Sequence, residues 1–100
     1  MNQVMQNKAI TPETIFKAGQ DVSWREVDGQ VVCMHLDNGE YFTLNGAAGV
    51  VWRSVLDGKN IHETAEQLKE TYGIEAERAA TDAQNFVRDL LESGLIEPTT

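Results

Sequence analysis

The chain has 100 residues, 41% of them hydrophobic and 24% charged, which is one domain's worth of soluble sequence with no room for a second core. Eight Lys and Arg stand against sixteen Asp and Glu, for a net charge of −8. That balance weighs against nucleic acid and anionic membrane surfaces as partners, since both recruit basic footprints.

Cys33, the single cysteine, has no partner for an internal disulfide and fits a reducing compartment. The start, Met1 to Lys8, lacks an apolar run, so no signal peptide is expected. The longest apolar stretch, Ala47 to Trp52, falls far short of the ~20 residues of a membrane span. These features predict a soluble, cytoplasmic protein.

Residues 1 to about 9 read as a polar tail. Thr11-Pro12-Glu13 suits a single helical turn with proline early in it, after which Ile15 and Phe16, with Ile10, pack on the domain. From Val22 the signal is β. Val22–Val27 runs into Asp28-Gly29, a two-residue hairpin turn whose residues both tolerate positive φ. Gln30–Leu36 forms a second strand, Asp37-Asn38-Gly39 a second turn, and Glu40–Leu44 a third, short strand. In the middle strand Val32, Met34 and Leu36 share one face, and Val31, Cys33 and His35 the other. The prediction is an antiparallel meander with two open edges.

At Asn45, a good N-cap, the apolar period changes from 2 to 3.6. Ala48, Val51, Trp52, Val55 and Leu56 form one helical stripe that Gly58 ends. Asn60 and Glu63 have capping-box spacing for a second helix, with Ile61, Ala65, Leu68 and Tyr72 on one side and Gly73 as its stop. A third and longest helix runs from about residue 75 to Ser93, with a stripe of Ala79, Ala83, Phe86, Val87, Leu90 and Leu91. After Gly94, Leu95 and Ile96 are expected to fold back onto the core. The fold class is therefore α+β: an N-terminal three-stranded antiparallel sheet followed by three helices, winged-helix-like in outline.

Signs of catalysis are sparse. There is no GxSxG, HExxH, CxxC or glycine-rich phosphate loop. Gly46-Ala47-Ala48-Gly49 lacks dinucleotide-loop spacing and reads as a tight strand-to-helix corner. Cys33, His35 and His62 are too few for a closed metal site, so no catalytic residue, no metal and no cofactor are expected. Cys33 reads as a half-buried thiol beside a surface histidine, and Trp52 and Phe42 as core. Tyr41 faces away from Phe42.

The second and third helices could assemble as a helix-turn-helix pair, which raises a DNA-binding regulator as the alternative function. The stretch 58–97, however, carries four positive side chains (Lys59, Lys69, Arg78, Arg88) and nine negative ones. Counterion release does not drive DNA binding through such a surface.

The run Glu40-Tyr41-Phe42-Thr43-Leu44-Asn45, Gly46-Ala47-Ala48-Gly49-Val50-Val51-Trp52 and Leu56-Asp57-Gly58 resembles the PqqD-like family. The likeness continues through Ile61 to Leu68, Tyr72-Gly73, Asp82, Phe86-Val87, Leu90-Leu91 and Gly94 to Glu97, and so spans residues 20–97. It implies a peptide-recognition domain over 20–97, with 1–19 as tail and lead-in. It further implies a non-catalytic adaptor that binds the leader of a ribosomally made precursor peptide and presents it to a modifying enzyme, such as a radical S-adenosylmethionine enzyme. In such domains the leader adds as a strand to the third strand of the sheet, and the third helix walls the groove. Here that implies Glu40, Tyr41, Phe42, Thr43 and Leu44 along the edge, and Asp82, Gln84, Asn85 and Arg88 on the helix. The namesake protein usually has a proline-containing stretch before the third strand. Asp37-Asn38-Gly39 stands there instead, so the resemblance implies peptide binding and not the quinone pathway in particular.

Overall fold

The computed structural model describes residues 10–99. In chain order the elements are β1 (Phe16–Ala18), β2 (Val22–Val27), β3 (Gln30–His35), β4 (Tyr41–Leu44), α1 (Ala47–Leu56), α2 (Ile61–Tyr72), α3 (Ala76–Glu92) and β5 (Ile96–Pro98). The expected polar tail lies outside the described residues.

The meander forms as the turn chemistry predicts. β3 is the centre of a three-stranded antiparallel sheet in the order β2-β3-β4. Asp28 and Gly29 both adopt positive φ, 53° and 82°, at the first turn. Register pairs Trp24 with Cys33 and Cys33 with Phe42, so these three share the face toward the helices. Val31, Cys33 and Leu44 are buried on that face. The opposite face carries Val32, Met34, Tyr41 and Thr43. Leu36 falls beyond the strand and is exposed.

Three sequence expectations are corrected. Thr11–Thr14 makes one hydrogen-bonded turn, not a helical one, and the chain then extends as β1. β1 pairs antiparallel with β5, Lys17 opposite Glu97, in a second, two-stranded sheet. The lead-in thus joins the C-terminal end of the domain, and Phe16, Leu95 and Ile96 are buried in the common core. Gly19 lets the two segments meet: a Cβ there would lie 2.5 Å from the Gly94 carbonyl oxygen.

The second correction concerns α1, whose N-cap is Gly46 and not Asn45. Gly46 has φ 56° and ψ −131°, a region that side chains avoid, and it swings the chain from strand to helix without a side-chain cap. α2 begins as expected: Asn60 Oδ1 accepts from Glu63 N–H at 2.8 Å, and Glu63 Oε1 accepts from Asn60 N–H at 3.0 Å. The third correction is Tyr72, which ends α2 exposed and not in the core.

All three helices turn one stripe to a single core. Val51, Trp52 and Val55 come from α1, Ile61, Ala65 and Leu68 from α2, and Ala79, Ala83, Val87 and Leu90 from α3. Trp24 reaches this core from β2, its ring edge-on to Trp52 at 5.7 Å and 74°. No described helix is long and apolar enough to cross a membrane.

Candidate functional site

The outer edge of β4 is unpaired among the described residues, because β3 occupies only its inner side. An antiparallel ladder alternates, so the bonds on one side identify the groups on the other. His35 N–H donates to the Glu40 carbonyl at 2.9 Å. In this register Cys33–Phe42 and Val31–Leu44 are then the hydrogen-bonded pairs. Tyr41 and Thr43 accordingly turn their N–H and C=O groups outward. Two donors and two acceptors in a row are a template for another extended chain.

The other strand edge differs. β2 carries Arg25 and Glu26, and Glu26 is engaged by Arg53 of α1 at 3.0 Å. Charged side chains of this kind guard an edge against pairing. β4 has none, and only Glu40 stands just before it.

Where β4 passes into α1, a cavity of about 360 Å³ opens, lined by Gly46, Ala47, Leu68, Tyr72, Ile74, Arg78 and Asp82. The corner at Gly46 and Ala47, with no side chain larger than a methyl, forms its strand-side wall. Leu68 and Ile74 make an apolar floor, and Arg78 and Asp82 pair at 3.4 Å across one turn of α3. This is a half-apolar site with a few polar groups, suited to orienting a side chain of a bound peptide.

The residues expected from the sequence divide. Tyr41 and Thr43 are exposed at the edge, Phe42 is half-buried beneath it, and Leu44 is buried. Asp82 lines the cavity beside β4. Asn85 is exposed on α3. Gln84 and Arg88 lie elsewhere, lining a separate groove with Ile10, Thr11, Pro12, Ile61, Val87 and Leu91. Sequence reasoning missed Leu68, Tyr72, Ile74 and Arg78 as cavity residues. The one available signal was helical spacing, which places Arg78 and Asp82 on one side of α3 and Gln84 and Arg88 on another.

Of the three side chains weighed for metal binding, Cys33 and His35 are engaged within the fold and His62 stands apart from them. Cys33 is fully buried and not half-exposed, and burial pushes its thiol up to about 11. His35 is half-buried, its Nε2–H donating to the Ser93 carbonyl at 2.6 Å while its ring meets Phe42 edge-on. His62 is exposed at the start of α2. Among the described residues, no group of three or more His, Cys, Asp or Glu is placed to hold a metal ion.

Among the described residues, a three-stranded wing, three helices and the open, uncharged sheet edge at β4 define an α+β, winged-helix-like domain. The family model described as coenzyme PQQ synthesis protein D (PqqD) matches residues 30–96, and the chain belongs to that family. Two solved structures are similar. The structure of TbiB1 in complex with the TbiA(beta) leader peptide has 27% identity and a TM-score of 0.75, over 81% of this chain and 94% of that one. A lasso peptide synthetase B1 complexed with the leader peptide has 29% identity and a TM-score of 0.76, over 83% of this chain and 98% of that one. No curated protein sequence matches the chain.

Proposed function

We propose that this protein is a non-catalytic adaptor for a ribosomally made precursor peptide. It holds the leader segment by strand addition to β4 and presents the remainder to a modifying enzyme, of which a radical S-adenosylmethionine enzyme is one candidate. The observation that carries the reading is the open β4 edge, with the main-chain groups of Tyr41 and Thr43 directed outward. Both similar structures are complexes with leader peptides. Residues 20–97 form the recognition domain, with the lead-in contributing β1, and the protein acts in the cytoplasm.

The edge supplies affinity that is largely independent of sequence. Specificity comes from alternate peptide side chains. Those opposite Phe42 and Leu44 turn toward the helices, where Asp82 and the cavity at Gly46 read them. Those opposite Tyr41 and Thr43 turn away. Glu40 and Asn85 flank this path. A disordered leader loses conformational freedom as it becomes a strand, so affinity is moderate.

The test is a titration of isotope-labelled protein with the leader peptide encoded beside its gene. Amide shifts over residues 40–44, accompanied by residues 78–86 of α3, are the expected outcome. Shifts that avoid both segments overturn the reading.

A further inference from the structure

The path along β4 has two ends. Gly46 and Ala47, just past β4, line the cavity with Arg78 and Asp82, near the start of α3. At the other end the His35 ring meets Phe42 edge-on, and its Nε2–H donates to the carbonyl of Ser93, the C-cap of α3. β4 and α3 therefore flank this path in opposite directions. Asp89 follows Asp82 by two helical turns, so it stands on the same side of α3, about 10 Å further along. Glu40 has the parity of Phe42 and Leu44, so alternation places it on the helix-facing side just before β4.

Charge is uneven along the path. Glu40 and Asp89 are exposed, and neither makes an ion pair among the described residues. Arg78, the cation that lines the cavity, is paired with Asp82. β3 and β4 carry no Lys or Arg, and Arg25 sits on β2 at the far edge of the sheet. An incoming strand thus meets a carboxylate from each wall at the Glu40 end, with no cation of β4 beside them. A basic side chain is attracted there and an acidic one repelled. The net charge of −8 steers in the same sense.

We propose that the leader segment held at β4 is a cationic strand, with a Lys or Arg on its helix-facing side at the Glu40 and Asp89 end. This rests on the strand-addition reading above and adds to it the charge class of the ligand. Main-chain bonds are open to any extended peptide; charge selects among them, and strands flanked by Asp or Glu are turned away.

Three capped heptapeptides serve as probes: acetyl-X-Thr-Val-Thr-Val-Thr-X-amide, with X as Lys, Gln or Glu. Each is titrated against isotope-labelled full-length protein. Because X stands at both ends, one copy reaches Glu40 in either strand direction. The Lys probe shifts the amides of residues 40–44 with a dissociation constant on the order of 1 mM. It binds roughly two- to tenfold more tightly than the Gln probe, and the Glu probe binds weakest. Salt at about 0.5 M narrows these differences. Glu40→Lys with Asp89→Lys inverts the order, and Glu40→Gln with Asp89→Asn flattens it. Both positions are exposed, so the variants fold, and their melting curves verify it. Lys and Glu probes that shift residues 40–44 equally, or an order unaltered in both double variants, overturn the cationic assignment and leave strand addition standing. No shift of residues 40–44 by any probe overturns strand addition as well.

Discussion

Arg53 of α1 grips Glu26 of β2 with two prongs, Nε to Oε2 at 3.0 Å and Nη2 to Oε1 at 3.2 Å. The same Nη2 donates to the Gly29 carbonyl at 3.1 Å. One side chain thereby ties the wing and its turn to the first helix. The Arg53 hydrogen bond, helped by its charge, holds the Glu26 carboxyl below its ordinary 4.5.

A depressed carboxyl adds stability that is present above its unfolded value and lost as pH falls through the folded one. Arg53→Met should therefore lower the melting temperature at pH 7 by a small amount, because both partners are partly exposed. Well below 4.5 the difference between the two proteins should shrink. Melting curves across pH 2–8 check this, and a gap that widens toward acid would contradict the assignment.

Gly46 is the next point of sensitivity. A Cβ at this position meets nothing within 4 Å, so Gly46→Ala costs only backbone strain at φ 56°. The expected loss is about 1–3 kcal/mol in denaturant unfolding. Asn60→Ala, which removes the α2 cap, should cost about 1 kcal/mol. A neutral Gly46→Ala would mean that the β4–α1 corner readjusts freely.

Trp52 is completely buried, and its Nε1–H has no partner among the described residues. Trp52→Phe discards that unsatisfied donor together with part of the ring, so the gain offsets much of the cavity cost. The expected loss is below about 1.5 kcal/mol, against about 3–5 kcal/mol for Trp52→Ala. Chemical denaturation of both variants measures the contrast, and equal losses would show that the indole nitrogen is satisfied.

Much of this architecture is readable from local chemistry, and the misses have physical causes. Asp28-Gly29 and the Asn60–Glu63 box are contiguous signals whose geometry is decided by a few residues. The β1–β5 sheet is different, because Phe16 and Pro98 pair across almost the whole chain and three residues show no period. Gly46 displaced Asn45 as N-cap because the corner needed a positive φ more than a hydrogen bond. The β4 edge was visible as a short third strand, but its outward groups required a register. Asp82 and Arg88 stand on different sides of α3 by helical spacing alone, but which neighbours face each side, the β4–α1 corner or the lead-in, is set by packing that the sequence does not show.

Cys33 supplies a probe of opening. Its thiol is fully buried and pushed up to about 11, so at neutral pH it is protonated and shielded. Labelling by an aromatic disulfide should be slow in the native protein, and its rate should follow unfolding of the β3–helix contact. Rapid labelling without denaturant would place the sheet in frequent exchange with an open form.

The sharpest test of strand addition is a substitution that deletes one outward N–H, read against a second that changes only the side chain. Thr43 N–H points away from β3, so Thr43→Pro leaves the inner ladder intact, as edge strands permit. Losing one main-chain donor to the leader should weaken binding by roughly three- to tenfold. Thr43→Ala keeps that donor and should bind nearly as well as the parent. Phe42→Pro removes an N–H that faces β3, and should therefore destabilise the fold itself. Calorimetric titration of the two Thr43 variants, with melting curves for all three, reads the pattern. Equal binding by Thr43→Pro and Thr43→Ala would rule out main-chain pairing at this edge.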